Sequence, residues 1–351
     1  MRDARMDEWL DAYRQELRYA HARRPDGPVE TVFFGGGTPS LMSADLVAGI
    51  IAQIDALWGL SAQAEITLEA NPVSAARAQL AALRDVGVTR LSLGVQAFDD
   101  AALAFLGRTH SADEARHAFA AAQEIFTHAS FDLIYARPGQ NTAAWAQELS
   151  AALALAPRHM SLYQLTIEPQ TAFAKLAAAG KLTPPDEETA AALYEVTQEL
   201  TAAAGLPAYE VSNHAAAGHA CRHNVASWRG GDYVGIGPGA HGRISTGAAR
   251  YATFALRQPQ AWLDAVSRAG HGWDGVKKLD KAAYEAEALM LGLRLVDGLS
   301  FADLRARAID IAPQRLARLR ADGLLSDDPH RLQASAKGRL LLDYVLGELL
   351  A

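Results

Sequence analysis

The chain has 351 residues, one cysteine and a formal net charge of −7, from 33 basic and 40 acidic residues. The single thiol, Cys221, excludes an internal disulfide and favours a reducing cytosol, and the acidic balance argues against a nucleic-acid-binding protein. No apolar run approaches the ~18–20 residues of a membrane helix. The N-terminus is mostly charged and therefore is not a signal peptide.

Short apolar runs alternate with Ala- and Leu-rich segments along the chain. The runs predict strands at about 31–34, 65–68, 90–95, 130–135, 159–165 and 208–211. The segments between them predict helices at about 43–58, 74–86, 112–127, 143–155 and 187–204. Ser43 and Ser74 are candidate helix N-caps, and Gly87 and Gly205 are candidate helix stops. Strands separated by helices form βαβ units, so we expect a parallel sheet or barrel.

Polar sequences follow every predicted strand: GGGTP, EANP, QAFDD, ARPGQN, TIEP and SNH. Because the C-terminal ends of parallel strands carry the binding site in barrels and open sheets, these segments predict one shared pocket. Ordinary turns are the alternative, and they account well for the glycines and prolines. They account less well for the polar side chains that recur there, which are Glu69, Gln96, Asp132 and Glu168.

Three consecutive glycines, Gly35 to Gly37, follow the first predicted strand and precede Thr38. Each glycine loses more conformational freedom on folding than any other residue, so the run is not explained by stability. Bare backbone at the end of a strand allows a ligand to approach closely, and its carbonyls can accept hydrogen bonds from an ammonium group. The glycines therefore predict a ligand-binding loop.

The alternation of predicted strands and helices ends at about residue 245. Residues 278–348 predict three or four helices with short connections, interrupted by a hairpin-like segment, LLSDDPHRLQAS. This order is typical of a winged-helix module. Its helix APQRLARLRADG carries three arginines, which permits a DNA-binding interpretation, but the acidic chain favours a packing or lid role. We expect two domains, at 1–245 and 246–351.

Nine collinear stretches within residues 31–242 carry a family resemblance. They are FFGGGTPSLM, EITLEANP, GVTRLSLGVQAFDD, LGRTH, FDLIYARPGQN, HMSLYQLTIEPQT, YEVSNHA, CRHNVASW and DYVGIGPGAHG. In this order and spacing they resemble the HemN/HemW group of radical SAM proteins, which comprises oxygen-independent coproporphyrinogen III oxidases and the related HemW heme chaperones. The YQLTIEP and RHNxxSW forms look more like HemW than like the longer oxidase.

The resemblance implies a partial (β/α)6 barrel that holds S-adenosylmethionine (SAM) across its strand ends, with a C-terminal helical domain. The family positions that contact SAM fall on Gly36, Gly37, Thr38, Glu69, Gln96, Arg108 and Asp132. The residue types suit this ligand, because carboxylates accept from a ribose diol or an ammonium and a guanidinium can pair with a carboxylate. Two of these positions have other interpretations: Arg108 as a helix cap or surface ion pair, and Asp132 as a satisfied buried carboxylate.

A second cluster, CRHNVASW, contains a candidate heme contact, His223, since neutral imidazole is a common iron ligand. Trp228 could stack on a macrocycle. The family usually has Tyr where Ser227 stands here, so one aromatic side chain is missing. A structural role for His223 stays open, as it does for His241 in GPGAHG.

The resemblance also implies a [4Fe–4S] cluster held by three cysteines in a CxxxCxxC loop, and this sequence has no such motif. Cys221 lies in another motif, and one thiolate cannot hold such a cluster. Residues 5–20 look like the family's first helix, so the first strand and the cluster loop would lie upstream of Met1, and strand 31–34 would become an exposed edge. Either the sequence is incomplete, which we favour, or it is a natural relative without a cluster; an in-frame CxxxCxxC upstream of Met1 would decide this.

Three functions follow as hypotheses. The first is a HemW-type protein that binds heme and SAM and delivers heme to acceptor proteins. The second is an oxidase that decarboxylates coproporphyrinogen III by radical chemistry. The third is a catalytically inactive binding protein. We expect a cytoplasmic protein that binds heme or a porphyrin and does not bind nucleic acid.

Overall fold

A computed structural model describes residues 4–247 and 249–351 of the chain. Its largest element is a six-stranded sheet in which each strand pairs with the next in chain order. The strands are β1 (Val29–Phe34), β2 (Leu60–Ala70), β3 (Arg90–Gln96), β4 (His128–Tyr135), β5 (His159–Gln164) and β6 (Asn213–Ala215). The first five are parallel, and β6 pairs with β5 in the antiparallel direction. The predicted α/β half-barrel is confirmed.

Helices connect the strands, as the βαβ pattern predicts. They are α1 (Ala4–His21), α2 (Ala44–Trp58), α3 (Arg77–Asp85), α4 (Asp100–Phe105), α5 (Ala112–Ile125), α6 (Thr142–Leu153), α7 (Ala172–Ala178), α8 (Glu187–Ala203) and α9 (Arg222–Trp228). Two 3-10 turns, Pro39–Leu41 and Pro72–Ser74, follow β1 and β2. No helix in the described part of the chain is long and apolar enough to cross a membrane.

The predicted helix caps have different outcomes. Ser43 is the N-cap of α2, with its hydroxyl accepting from the Leu46 amide at 3.2 Å. Ser74 is not a cap, because its hydroxyl contacts the Ser40 hydroxyl at 2.6 Å and joins the two 3-10 turns instead. Gly87 and Gly205 follow helices with positive φ angles, as expected of stops.

Side chains alternate across the sheet. Leu68, Leu91, Leu93, Phe131 and Leu133 belong to the main hydrophobic core and are fully buried. The intervening positions face the concave side and are mostly polar; they include Glu65, Thr67, Arg90, Ser92, Ser130, Asp132, His159 and Ser161. An apolar outer face and a polar inner face fit a half-barrel that holds a polar ligand inside.

The prediction of a strand at 208–211 is wrong. Glu210 is fully buried there, and its carboxylate accepts from the Ser212 amide at 2.9 Å and from Arg294 at 2.9 Å. These bonds turn the chain, so that the strand forms later, as β6. A buried carboxylate paired with Arg294, which is distant in sequence, overrides the local apolar pattern.

A three-stranded antiparallel sheet that the sequence did not predict follows: β7 (His241–Thr246), β8 (Ala249–Ala255) and β9 (Trp273–Lys278), with α10 (Pro259–Ala269). The buried Glu16 carboxylate of α1 joins this sheet to the N-terminal helix. It accepts from the Gly237 amide at 2.7 Å, the Gly272 amide at 2.7 Å and the Trp262 indole at 3.1 Å. The proposed division between 1–245 and 246–351 lies within β7 and stays a proposal.

The C-terminal module is helical with a small β pair, β10 (Leu299–Ser300) with β11 (Arg331–Leu332). Its helices are α11 (Lys281–Gly292), α12 (Phe301–Ala306), α13 (Pro313–Ala321), α14 (Ala336–Leu340) and α15 (Leu342–Leu350). All three arginines of α13 contact the module itself: Arg315 donates to the Leu349 carbonyl, Arg318 pairs with Glu348, and Arg320 donates to the Ser326 carbonyl.

Candidate functional site

A cleft of about 290 Å³ opens at the C-terminal ends of β1 to β4. All seven residues that the resemblance assigns to SAM line this one cleft: Gly36, Gly37, Thr38, Glu69, Gln96, Arg108 and Asp132. They come from four strand ends and the loop after α4. Of the strand-end residues singled out from the sequence, Glu168 does not line it. Asn71 and Ser92 add polar side chains to the lining, and sequence reasoning missed both; Gly94 also lines the cleft.

The three glycines of the loop after β1 meet different structural constraints. A Cβ on Gly35 would lie 2.7 Å from the Phe33 ring. Gly36 has φ +101°, which L residues with side chains rarely adopt. A Cβ on Gly37 would meet nothing within 4 Å, so this position leaves open space toward the cleft. The predicted bare backbone is therefore present where a ligand could approach.

Two carboxylates face the cleft. Glu69 accepts a 3.2 Å hydrogen bond from the Gly36 amide, and burial raises its pKa while this bond lowers it. Burial raises the pKa of Asp132 to about 7; hydrogen bonds from Ser161 and Ser92 lower this pKa, and the nearby charge of Glu69 raises it. Two carboxylates that are costly to ionise together favour a positively charged ligand.

Gln96 is held in an unusual conformation. Its φ is +73° at the end of β3, where the β3–β4 register shifts. A Cβ on Gly94 would approach the Gln96 side-chain nitrogen to 3.0 Å, so the missing side chain of Gly94 leaves room for this amide. Non-glycine residues in the left-handed region cluster at ligand sites, where the surrounding structure holds them.

Arg108 is the cation of the cleft and is exposed. Its backbone amide donates to the Leu103 carbonyl at 2.9 Å, which ends α4. Two residues on, the buried His110 contacts the Val95 carbonyl through Nε2 at 2.9 Å. His110 thus anchors the LGRTH loop to β3, and these two hydrogen bonds fix the backbone that carries Arg108.

Known proteins resemble this chain at the levels of family, sequence and fold. Family models match the Radical SAM superfamily at residues 4–150 and the HemN C-terminal domain at residues 279–341. The mitochondrial radical S-adenosyl methionine domain-containing protein 1 of Bos taurus is 38% identical over 95% of this chain and 78% of its own length. The heme chaperone HemW of Mycobacterium tuberculosis is 37% identical over 98% of this chain and 86% of its own.

The chain belongs to the HemW group of the radical SAM superfamily. HemW of Bacillus subtilis is a further relative, 33% identical over 98% of this chain and 92% of its own. The solved structure of coproporphyrinogen III oxidase (HemN) from Escherichia coli matches with a TM-score of 0.79, covering 99% of this chain and 84% of that one. At 22% identity, this match shows the shared fold alone.

The iron–sulfur cluster of radical SAM proteins does not fit the residues present. Cys221 is 3% exposed, and its thiol donates to Oε1 of Glu65 at 3.3 Å. Burial and the Glu65 charge raise the pKa of this thiol to about 12, so it is a protonated donor and not a thiolate ligand. Within residues 4–247 and 249–351, no group of three His, Cys, Asp or Glu side chains could hold a metal ion.

Cys221 belongs to a polar network at the end of the half-barrel opposite the cleft. Glu65 pairs with Arg90 at 2.9 Å, and both side chains are more than nine-tenths buried. Arg90 also donates to the carbonyls of His219 and Ala220. This network ties the segment before α9 to β2 and β3. The feature of the sequence that could have indicated this network is Arg90, a charged residue at the start of a largely apolar strand.

His223 lies on α9, outside the residues that line the cleft. Its ring stacks on Phe33 at 4.7 Å between centroids, with Nδ1 3.4 Å from the Thr31 hydroxyl. Burial lowers its pKa, which favours the neutral imidazole that can bind iron. Trp228 faces the Arg294 guanidinium at 4.4 Å. His241 is exposed and packs edge-on against Phe254.

Proposed function

We propose that this HemW-group chain binds SAM in the strand-end cleft through Gly36, Gly37, Thr38, Glu69, Gln96, Arg108 and Asp132. The observation that carries the proposal is that these seven residues, chosen from sequence alone, line one cleft. The exposed glycine backbone and Glu69 suit the ligand's ammonium and hydroxyl groups, and Arg108 suits its carboxylate. The carboxylates suit its positive charge.

We further propose that heme is the cargo and that the chain acts as a heme chaperone for acceptor proteins. The support is the family, in which several relatives bear the name heme chaperone HemW. His223 is the proposed iron contact, because burial lowers the pKa of its imidazole and because its Nδ1, not its Nε2, faces Thr31.

Radical SAM chemistry requires a [4Fe–4S] cluster to cleave SAM, and residues 1–351 do not supply its ligands. These residues alone therefore support no radical step. The described residues can bind SAM, orient its charged groups and hold a proton on Asp132. Decarboxylation of coproporphyrinogen III, the alternative activity, would depend on such a cluster.

We propose a reducing compartment, the cytosol, as the location. The support is a single cysteine held as a buried thiol. The vertebrate relatives carry the word mitochondrial in their names, so the matrix of an organelle is the competing location.

Hemin titration followed by transfer to an apoprotein acceptor tests this function. The chain is expected to bind hemin with a shifted Soret band and to pass it to excess apomyoglobin, while coproporphyrinogen III is not consumed. His223→Ala is expected to change the spectrum and weaken hemin binding. An unchanged spectrum and affinity in that variant would contradict the iron contact, and a wild-type chain that binds no hemin would contradict the chaperone function.

A further inference from the structure

The three-stranded sheet of β7, β8 and β9 ends on one side at β9. Among the described residues, this strand pairs with β8 alone. Its sequence, WDGVKK, contains no proline. Asp274 and Lys278 are exposed, and Val276 between them is 56% exposed. An edge strand of this kind presents unpaired amides and carbonyls to solvent, so it can pair with another strand.

The pairing with β8 shows which backbone groups of β9 face the open edge. Leu279, directly after β9, donates from its amide to the Arg250 carbonyl at 2.9 Å and continues the register of the strand. Hydrogen-bonded and non-hydrogen-bonded residue pairs alternate in an antiparallel ladder, so the odd-numbered residues of β9 bond to β8. The N–H and C=O groups of Asp274, Val276 and Lys278 therefore point away from β8. In the described part of the chain they bond to no other element.

The exposed face of β9 is complementary to itself. If a second copy pairs antiparallel about a two-fold axis at Val276, each Val276 lies opposite its own counterpart. Asp274 of each copy then lies opposite Lys278 of the other, so two ion pairs flank one apolar pair. Opposite charges and β-branched side chains that face each other across strands stabilise the pairing, whereas facing like charges destabilise it.

Neighbouring registers lack this match. An axis at Gly275 would place Asp274 opposite Val276, and an axis at Lys277 would place the two Lys277 side chains opposite each other. Lysines on an edge strand often deter pairing. In the register centred on Val276, however, an acidic side chain faces each Lys278, so the charges favour a second copy of the same strand.

We propose that β9 is the interface between two copies of this chain, which pair into one continuous six-stranded sheet. A two-fold interface uses the same surface on both copies, and a self-complementary strand satisfies this condition. The backbone groups that point to the open edge belong to Asp274, Val276 and Lys278, which are the residues that face each other in this register. Because the contact is limited to one strand from each copy, we expect a weak dimer.

Charge exchange along β9 tests this interface by sedimentation velocity at protein concentrations from about 1 to 300 µM. Wild type is expected to pass from monomer to dimer in this range. Asp274→Lys and Lys278→Asp each place like charges opposite each other, so each is expected to raise the dimer dissociation constant about tenfold or more. The double variant Asp274→Lys/Lys278→Asp restores both ion pairs and is expected to dimerise as wild type does.

A mixture of the two single variants gives a second test. Opposite charges then face each other only between unlike copies, so the mixture is expected to form heterodimers at concentrations where each variant alone is a monomer. Lys277→Asp is the matched control: it makes the same charge change on the same strand, but its position faces Gly275 of the other copy and should leave association unchanged. Far-UV circular dichroism verifies that each variant is folded.

Three results would overturn the proposal. Wild type could remain monomeric up to about 300 µM. A dimer with the same dissociation constant in wild type and in both single variants would place the interface elsewhere on the molecule. Failure of both the double variant and the mixture to recover association would exclude the pairing of Asp274 with Lys278. None of these results bears on the proposed SAM and heme sites.

Discussion

The Gly36 amide donates a 3.2 Å hydrogen bond to Oε2 of Glu69, which joins the loop after β1 to the end of β2. The bond opposes the effect of burial on the Glu69 pKa and fixes the carboxylate against the glycine backbone. Two groups assigned to one ligand thus hold each other in place before it binds. Such preorganisation reduces the ordering that binding requires.

Replacing Gly36 with alanine is expected to strain the loop. At φ +101° an L residue costs about 1–2 kcal/mol, although the Cβ itself would meet nothing within 4 Å. We expect a loss of unfolding free energy of about that size, measured by urea denaturation. Gly37→Ala is the matched control, because Gly37 has the same open surroundings without a positive φ, and its stability is expected to stay near wild type. Equal stabilities of the two variants would contradict a strained Gly36.

SAM binding is expected to tighten as pH rises through 7. Asp132, with its pKa raised to about 7, is largely protonated below that pH in the free chain. A cationic ligand favours the ionised carboxylate, so binding releases a proton and is opposed in acid. For one linked proton, affinity should rise about tenfold between pH 6 and 8, as measured by calorimetry.

Asp132→Asn is the variant that isolates this effect. Asparagine cannot titrate, so its SAM affinity should be weaker than that of wild type at pH 8 and nearly flat with pH. Glu69 and Arg108 also line the cleft and are not altered by this substitution. A wild-type affinity independent of pH would show that no proton is linked to SAM binding, and an unchanged slope in Asp132→Asn would assign the linked proton to another group.

Short apolar runs, separated by Ala- and Leu-rich segments, predicted β1 to β5 from the sequence. The cleft was also predictable, since strand ends in a parallel sheet meet at one edge. The sheet of β7 to β9 was missed because its order depends on distant partners. Glu16, on the N-terminal helix, holds the Gly237 and Gly272 amides from 221 and 256 residues away.

Truncating Glu16 is expected to destabilise the chain strongly. Glu16→Ala leaves three buried donors without an acceptor, which costs about 3 kcal/mol or more in unfolding free energy. Chemical denaturation measures this cost. Glu8→Ala, on an exposed position of the same helix, is the control and should change stability by less than about 0.5 kcal/mol. Equal effects of the two substitutions would show that the Glu16 contacts contribute little.

The thiol of Cys221 is expected to resist modification in the folded chain. Its pKa is raised to about 12 by burial and by Glu65, so the reactive thiolate is scarce at pH 8. A chromogenic disulfide reagent should detect no fast-reacting thiol in the native chain and one thiol per chain after denaturation. Rapid reaction of the native chain would contradict both the burial and the raised pKa.

The conformation of Gln96 and the position of His223 could not be predicted from sequence. The left-handed backbone of Gln96 depends on the shifted β3–β4 register. It also depends on Gly94, because the absence of a Cβ there leaves room for the Gln96 side chain. His223 lies against Phe33 because the Glu65 carboxylate accepts from its amide at 3.1 Å. Both arrangements arise from contacts between elements, which a one-dimensional pattern does not contain.

Titration calorimetry with SAM at pH 8 tests most directly whether the residues of this chain form a SAM site. We expect one saturable site in wild type. Affinity should fall about tenfold or more in Glu69→Gln and in Arg108→Ala, because each loses a charge-assisted hydrogen bond. Glu168→Gln, which removes an exposed strand-end carboxylate outside the cleft, should bind as wild type does. No saturable binding by wild type, or wild-type affinity in Glu69→Gln and Arg108→Ala, would contradict the account.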